Sequence, residues 1–179
     1  MRIVGFVFIL LGIAVCSAQT LQLGAILPPI NGTTLEEQSI TLPDAVRGKV
    51  TLLVFTFSKG AGERGRSWTD HFFQDYPQDD KVISYAIAML EDVPSLLRGM
   101  IRGSIKRSVP VSRRKQFLTV TQGEDQWKRY LGLKDDKDPY LLLLDRKSQV
   151  QWARQGAFDE TVYDRLKARI AELLIEKSN

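Results

Sequence analysis

Few residues of this chain could carry out covalent chemistry, because it contains one cysteine and one histidine. The cysteine, Cys16, could support disulfide exchange or peroxide reduction, both of which require a thiolate. It lies in a strongly apolar N-terminal stretch, so we expect no thiol chemistry in the folded part of the chain. A zinc site built from His and Cys needs more ligands than these. We therefore predict no metal site and no cofactor.

The histidine, His71, directly follows Asp70 and lies near two serines, Ser58 and Ser67. A serine nucleophile, a histidine base and an aspartate that orients the base are the parts of a hydrolytic triad. Adjacent residues of a helix point away from each other, so Asp70 is poorly placed to orient His71. We expect His71 to lie on an exposed or half-buried helix face, and the sequence leans against an enzyme.

The segment 58–67 is rich in glycine and cations, and it follows an apolar run that is typical of a buried strand. Backbone N–H groups and cations near a helix start can hold an anion. The segment lacks the Gly-Lys-Ser/Thr ending of a nucleotide-binding loop, and a flexible surface loop is the alternative. The candidate binding residues are Ser58, Lys59, Gly60, Glu63 and Arg64, with Trp68 and His71 in the helix predicted to follow.

A second candidate surface is basic and comprises Arg98, Arg102, Lys106, Arg113 and Arg114. The first three recur every four residues and therefore share one face of a predicted helix. Such a surface could meet anionic lipid headgroups or an acidic partner, although most charged stripes are simply solvated. Leu97, Ile101 and Ile105 predict an opposing stripe that is buried in the core. The net charge of +4 is only mildly basic, and we expect no nucleic-acid partner.

The N-terminal residues resemble a secretory signal peptide. Arg2 precedes an uninterrupted run of 13 apolar or Gly residues at 3–15, and small residues then allow a cut before Gln19. A membrane span needs about 20 apolar residues, so a cleaved signal is favoured over an anchor. A lipoprotein signal ending at Cys16 is the alternative, but the branched Val15 fits it poorly. The expected organisation is a signal peptide at 1–18 and one domain at 19–179, exported to the periplasm or cell envelope.

Apolar β-branched runs predict strands, and amphipathic stretches predict helices. Residues 19–46 are predicted as a lead-in of turns and loops, because they contain Pro28-Pro29 and Asn31-Gly32. The predicted strands lie at 50–57, 82–88, 116–120, 140–145 and 150–154. The predicted helices lie at 67–76, at 92–109 with Asp92 as its cap, at 124–131, and after the cap Asp159. This alternation predicts the α/β class, with a mixed central sheet covered by helices on both faces.

Three ordered pieces of the chain resemble the thioredoxin-like superfamily. They are residues 42–49 with the strand that follows, Pro139 before an apolar strand, and the closing hairpin and helix with Gly156 between them. The resemblance covers about residues 21–175 and implies a three-layer sandwich. It implies that Pro139 is the superfamily's cis-proline and borders the candidate loop. It also implies that a redox enzyme would keep its thiol in the segment 58–67, which contains no cysteine.

A narrower set of residues is similar to the mitochondrial assembly factor for the membrane sector of the ATP synthase. It comprises Phe55-Thr56-Phe57, Ser67-Trp68 with Phe72, residues 100–102 to 109–110, residues 140–145, and Gln151-Trp152-Ala153 with Gly156. That resemblance implies a chaperone or assembly role. The solid apolar leader differs from an amphipathic mitochondrial presequence, which points to a bacterial envelope relative.

Three functional hypotheses follow. The first is a non-redox thioredoxin-like exported protein that binds a protein partner as a chaperone or assembly factor. The second is an enzyme that uses the segment 58–67 without a thiol, which predicts a pocket there with His71 or Glu63 facing inward. The third is a peripheral membrane protein that binds anionic lipid through its basic helix.

Overall fold

The computed structural model describes residues 20–77 and 79–176. The predicted signal peptide, its cut before Gln19 and Cys16 lie outside these residues. The strands are β1 Ile30–Thr34, β2 Ser39–Leu42, β3 Val50–Thr56, β4 Val82–Met89, β5 Phe117–Val120, β6 Tyr140–Leu144 and β7 Val150–Gln155. The α-helices are α1 Lys59–Asp75, α2 Ser95–Ser108, α3 Glu124–Leu131 and α4 Glu160–Ile175. Short 3-10 helices lie at Asp44–Val46 and Val111–Gln116.

All seven strands form one mixed sheet in the order β2-β1-β5-β4-β3-β6-β7. The central strands β3, β4 and β5 are parallel, because helices cross between them. The hairpin β6–β7 adds two antiparallel strands beside β3, and the hairpin β1–β2 adds two beside β5. The predicted mixed sheet is therefore confirmed.

Helices cover both faces of the sheet, and each face has its own core. On one face α1 and α4 pack over the sheet through Trp68, Phe72, Tyr163 and Leu166. On the other face α3 contributes Trp127, Tyr130 and Leu131. The central strand β3 is buried on both faces, as its almost continuous apolar run predicts. This arrangement is the predicted three-layer α/β sandwich.

The prediction that residues 19–46 form only turns and loops is wrong, because they contain the β1–β2 hairpin. Asn31-Gly32 lies within β1 instead of at a turn. A Cβ placed on Gly32 would lie 2.6 Å from Leu118 Cγ, so glycine is needed there for close packing against β5. The chain reverses at the residues after Leu35, where Glu37 has a φ of 63°.

No helix among the described residues is long and apolar enough to cross a membrane. The last helix, α4, begins as predicted, with the Asp159 carboxylate accepting a hydrogen bond from Val162 N at 2.9 Å. The predicted cap of α2 is wrong. That helix begins at Ser95 after Pro94, without a side-chain cap, and Asp92 instead pairs with Lys128.

Candidate functional site

The segment 58–66, predicted as a flexible loop, forms the first turns of α1. Ser58 caps this helix, since its Oγ accepts a hydrogen bond from Ala61 N at 3.1 Å. Glycines disfavour a helix by about 1 kcal/mol each, and tertiary packing offsets that penalty here. Ala61 and Gly65 are both buried. A Cβ on Gly65 would lie 3.3 Å from Thr56 Cγ2, so glycine lets α1 lie close to β3.

The start of α1 is bound to the loop that precedes β6. Ser58 Oγ donates a hydrogen bond to the Asp136 carbonyl at 2.6 Å. Arg64 Nη1 donates to the Lys137 carbonyl at 3.1 Å and to Asp138 Oδ1 at 2.9 Å. Pro139 is buried directly after this loop. The structure therefore brings Ser58, Arg64 and Pro139 together, and it uses the hydroxyl of Ser58 in capping and in fixing the loop.

The expectation of a cis-proline at Pro139 is wrong. Among the described residues, the cis peptide bond is the one between Leu42 and Pro43. Pro139 enters β6 through a trans bond, and its carbonyl accepts a hydrogen bond from Gly156 N at 3.1 Å.

Lys59, Gly60 and Glu63 lie on the exposed side of the first turns of α1. The Lys59 ammonium lies 3.8 Å from Glu63 Oε1, in a pair that is largely exposed. Such an exposed pair contributes at most about 1 kcal/mol. These side chains therefore remain available to a ligand.

Trp68 and His71 point away from this region and toward α4. Trp68 is fully buried, and its Nε1 donates to the Gly156 carbonyl at 3.2 Å. The half-buried ring of His71 stacks on Phe158 with 4.1 Å between centroids, and its Nδ1 lies 2.8 Å from the Ser67 carbonyl oxygen. Both residues therefore serve packing.

A serine–histidine–aspartate arrangement is not assembled among the described residues. The carboxylate of Asp70 pairs with Arg113 instead of with His71. The hydroxyl of Ser58 contacts backbone atoms. Asp70, which the sequence marks as poorly placed to orient His71, is thus engaged with Arg113 in this structure.

A cleft of about 810 Å³ lies between α1 and α2, over the ends of β3 and β4. Ser58, Lys59 and Glu63 line it, and His71 does not. Its floor consists of small side chains, among them Thr56, Ala86 and Ala88. The thiol-free enzyme hypothesis predicts a pocket at this place. The pocket is present, but the only residue of that hypothesis that could act as a base there is Glu63.

The predicted basic stripe on α2 is turned inward. Arg98 donates to the carbonyls of Glu91 and Val93, each at 2.8 Å. Arg102 binds Glu37 Oε2 at 2.7 Å and the Thr34 carbonyl. Arg98 therefore binds carbonyls of the segment before α2 and Arg102 binds a carbonyl of β1, so a solvated stripe is the wrong interpretation for them.

The other cations of the basic surface have different surroundings. Arg113 pairs with Asp70 and lies 4.4 Å over the Phe73 ring, and Arg114 donates to the Val109 carbonyl at 3.2 Å. Lys106 is half-buried. The five predicted cations therefore do not form one free surface.

The predicted core stripe on α2 is also wrong, because none of the 14 described residues of α2 is buried. Ile101 and Ile105 are half-buried and line the cleft, while other apolar side chains of α2 are exposed. Leu96 is 94% exposed, Leu97 44% and Met100 65%. We call these three residues the outer apolar patch.

A buried carboxylate in α3 was not predicted. Glu124 is 2% exposed, and its Oε1 lies 2.9 Å from Lys128 Nζ, which also lies 3.0 Å from Asp92 Oδ2. The contact with Glu124 raises the pKa of Lys128 above its usual range, and Lys128 lowers the pKa of Asp92. This cluster ties α3 to the loop before α2. No group of three or more His, Cys, Asp or Glu residues in the described chain could hold a metal ion.

The family model described as ATP10 protein matches residues 22–173. The chain belongs to the ATP10 protein family. A search of curated proteins found no match.

Solved structures that resemble this ATP10-family chain are thioredoxin-like. BsSco, a member of the Sco family of cytochrome c oxidase assembly proteins, is 14% identical with a TM-score of 0.62, covering 88% of this chain and 98% of that one. The thioredoxin domain of the thiol-disulfide oxidoreductase BVU-2223 from Bacteroides vulgatus is 17% identical with a TM-score of 0.59, covering 84% and 99%. The thiol peroxidase from Chromobacterium violaceum is 15% identical with a TM-score of 0.55, covering 84% and 88%. These similarities establish the thioredoxin-like fold.

The sequence places two arginines, Arg66 and Arg107, in separate cationic segments and does not relate them to each other. Both line the cavity. They lie 41 positions apart on two different helices, so no local pattern relates them. Only the packing of α1 beside α2 shows that they share one site.

Proposed function

We propose that this ATP10-family protein is an exported, thiol-independent assembly factor that binds a protein client in the cell envelope. The observation that carries the proposal is the start of α1, where a thioredoxin-like enzyme would need its thiolate. Ser58 occupies that position, and its hydroxyl is engaged with Ala61 and Asp136. A serine side chain forms no disulfide, and disulfide exchange requires a thiolate.

The outer apolar patch of α2 supports a role in binding a protein. Apolar side chains this exposed, and close together on one helix, are typical of interaction surfaces. Leu96 and Met100 are separated by four positions and therefore lie on the same face. We propose that the client contacts this face. The membrane sector of the ATP synthase is the client that the family resemblance suggests.

Membrane binding through a basic helix has less support. Four of the five cations of that hypothesis have partners within the protein, in the form of carbonyls or carboxylates. These bonds hold the four guanidiniums against the protein, so they are not extended toward lipid headgroups.

The proposal is tested in a strain that lacks the native gene and carries the full chain or a variant. The quantity measured is the assembled membrane sector of the ATP synthase on native gels, together with the level of the chain itself. Cys16→Ser removes the only thiol, and we expect assembly to stay at the native level. Loss of assembly at an unchanged protein level would overturn the thiol-independent role.

The docking surface is tested in the same strain with Leu96→Glu. We expect several-fold less assembled complex, because a charge replaces an apolar contact. Ile175→Glu is the matched control, since Ile175 is 81% exposed on α4 and far along the chain from the patch. Equal effects of the two variants would contradict docking on α2. Mass spectrometry of the purified chain tests export, and the expected new N-terminus is Gln19.

A further inference from the structure

The cleft between α1 and α2 is mostly apolar, and small residues at its floor and along α1 leave space for it. Ala86 and Ala88 of β4 form part of the floor, and Gly62 and Gly65 of α1 form part of one wall. The opposite wall is α2, which buries none of its described residues. The volume of the cleft, about 810 Å³, falls in the range of small-molecule sites, about 300–1,000 Å³.

The cleft carries more positive than negative charge. Lys59 and Glu63 neutralise each other, and Arg113 is paired with Asp70. Arg66 and Arg107 also line the cleft, and neither guanidinium has a carboxylate partner among the described residues. A bound anion would therefore meet two guanidiniums that are not already neutralised.

The floor of the cleft favours an alkyl chain over an extended peptide. Strand β4 is central, and its backbone is already paired with β3 on one side and β5 on the other. A peptide would bring N–H and C=O groups to a floor that offers them few partners, and a buried polar group without a partner is unfavourable. An alkyl chain has no N–H or C=O groups to satisfy, and each CH₂ that it buries contributes about 0.8 kcal/mol to the free energy of binding.

We propose that this cleft binds one molecule of a free long-chain fatty acid, with the chain over Ala86 and Ala88 and the carboxylate at Arg66 and Arg107. Met100 of the outer apolar patch also lines the cleft, whereas Leu96 and Leu97 do not. Because the docking variant Leu96→Glu leaves the lining of the cleft unchanged, this proposal and the assembly role can fail independently.

The test is photolabelling of the full chain in whole-cell lysate, membranes included. Lysates are incubated briefly with palmitic acid that carries a diazirine and an alkyne, or with the methyl ester of the same probe. After irradiation the chain is purified, and the adduct is mapped by mass spectrometry. We expect the acid to label peptides of α1 or α2, and the ester to label them about tenfold less, since a charged hydrogen bond contributes about 1.5–3 kcal/mol.

Variants separate the two parts of the site. Arg66→Gln combined with Arg107→Gln should reduce labelling by the acid to the level of the ester. Gly62→Phe should reduce labelling by both probes, because a Cβ at Gly62 has open space around it and the new ring would enter the cleft. Ser104→Phe blocks the cleft from α2 in the same way. Gly99→Phe is the matched control, since Gly99 also has open space and does not line the cleft.

Four outcomes would overturn the proposal. The acid and its ester could label equally, or the adduct could map outside the cleft, for instance to Leu96 or Leu97 or to the N-terminal segment. The adduct mass could correspond to a probe esterified in a phospholipid instead of a free acid. Labelling could also persist in both Gly62→Phe and Ser104→Phe.

Discussion

At the scale of single residues, Ser58 connects the sequence to the arrangement of the site. It lies two residues after β3, and its extended backbone, with φ −147° and ψ 165°, lets the side chain cap the first turn of α1. The same hydroxyl accepts from Ala61 N and donates to the Asp136 carbonyl. One small side chain thus stabilises a glycine-rich helix start and fixes the loop before β6.

We predict that Ser58→Ala lowers the free energy of unfolding by about 1–2 kcal/mol, the usual effect of losing a helix cap. Ser58→Thr should retain most of the stability, because it keeps a hydroxyl that can accept and donate. Urea denaturation measures both variants. Ser112→Ala, at an exposed serine, is the control. A change for Ser58→Ala no larger than that of the control would show that the cap contributes little.

At the scale of elements, α2 differs from the other helices in what holds it. The helices α1, α3 and α4 are held by buried aromatic and aliphatic side chains. Helix α2 is held by hydrogen bonds of its arginines. Arg102 binds the hairpin β1–β2, and Arg98 binds the loop that precedes α2. Directional bonds position the helix while leaving open the space between α2 and α1.

We predict that Arg102→Gln accelerates amide hydrogen exchange in α2 by about tenfold, because it removes a charged hydrogen bond to the hairpin. Exchange in α1 and α4 should stay unchanged. Hydrogen-exchange mass spectrometry resolves the helices, and Lys106→Gln is the control on the same helix. Unchanged exchange in α2 would mean that other contacts hold it.

The predictability of each element follows from where its determinants lie. Strands β3 and β6 are evident from apolar runs, because their burial on both faces leaves a local signal. The first turns of α1 were missed because the helix there depends on Gly65 fitting against Thr56 and Pro139, which lie outside the segment. The arginines of α2 were predicted as a solvated stripe, because the partners of Arg102 lie in a hairpin about 65 positions earlier.

The site was predictable to a similar degree. Strand order and the family resemblance predict that the site follows β3 and lies next to Pro139. The enzyme hypothesis predicts a pocket beside the segment 58–67, but the contribution of α2 to its lining depends on how the two helices pack and has no local signal in the sequence. Arg66 and Arg107 belong to two separate cationic segments of the sequence, and only the packing of α1 beside α2 places them in one cleft.

At the scale of the whole molecule, all five tyrosines are affected by burial in the two cores. Burial raises the pKa of each of Tyr76, Tyr85, Tyr130, Tyr140 and Tyr163, and at Tyr163 the hydrogen bond to Asp75 adds to it. The unfolded chain releases phenolic protons at a pH of about 10. The folded state therefore retains more protons above that pH, and stability must fall as the pH rises.

We predict a steep loss of stability above a pH of about 10, where unfolded tyrosines ionise. Lys128 acts in the same direction, because its raised pKa contributes stability that is lost as the pH rises through the folded value. Ultraviolet absorbance of tyrosinate should show titration of the native protein at higher pH than of the protein in urea. Tyr163→Phe should make the alkaline loss shallower. Coincident titration curves in the two states would contradict the prediction.

The pairing of β3 also determines when the sheet can close during synthesis. β3 pairs with β4 early, but Thr51 meets Leu144 of β6 about ninety positions further along the chain. Until the ribosome has released β6, one edge of the apolar strand β3 has no paired neighbour. Long-range pairings of this kind are slow and leave the chain prone to aggregation. An assembly factor built on this sheet is therefore itself a protein that needs protection until nearly all of it has been made.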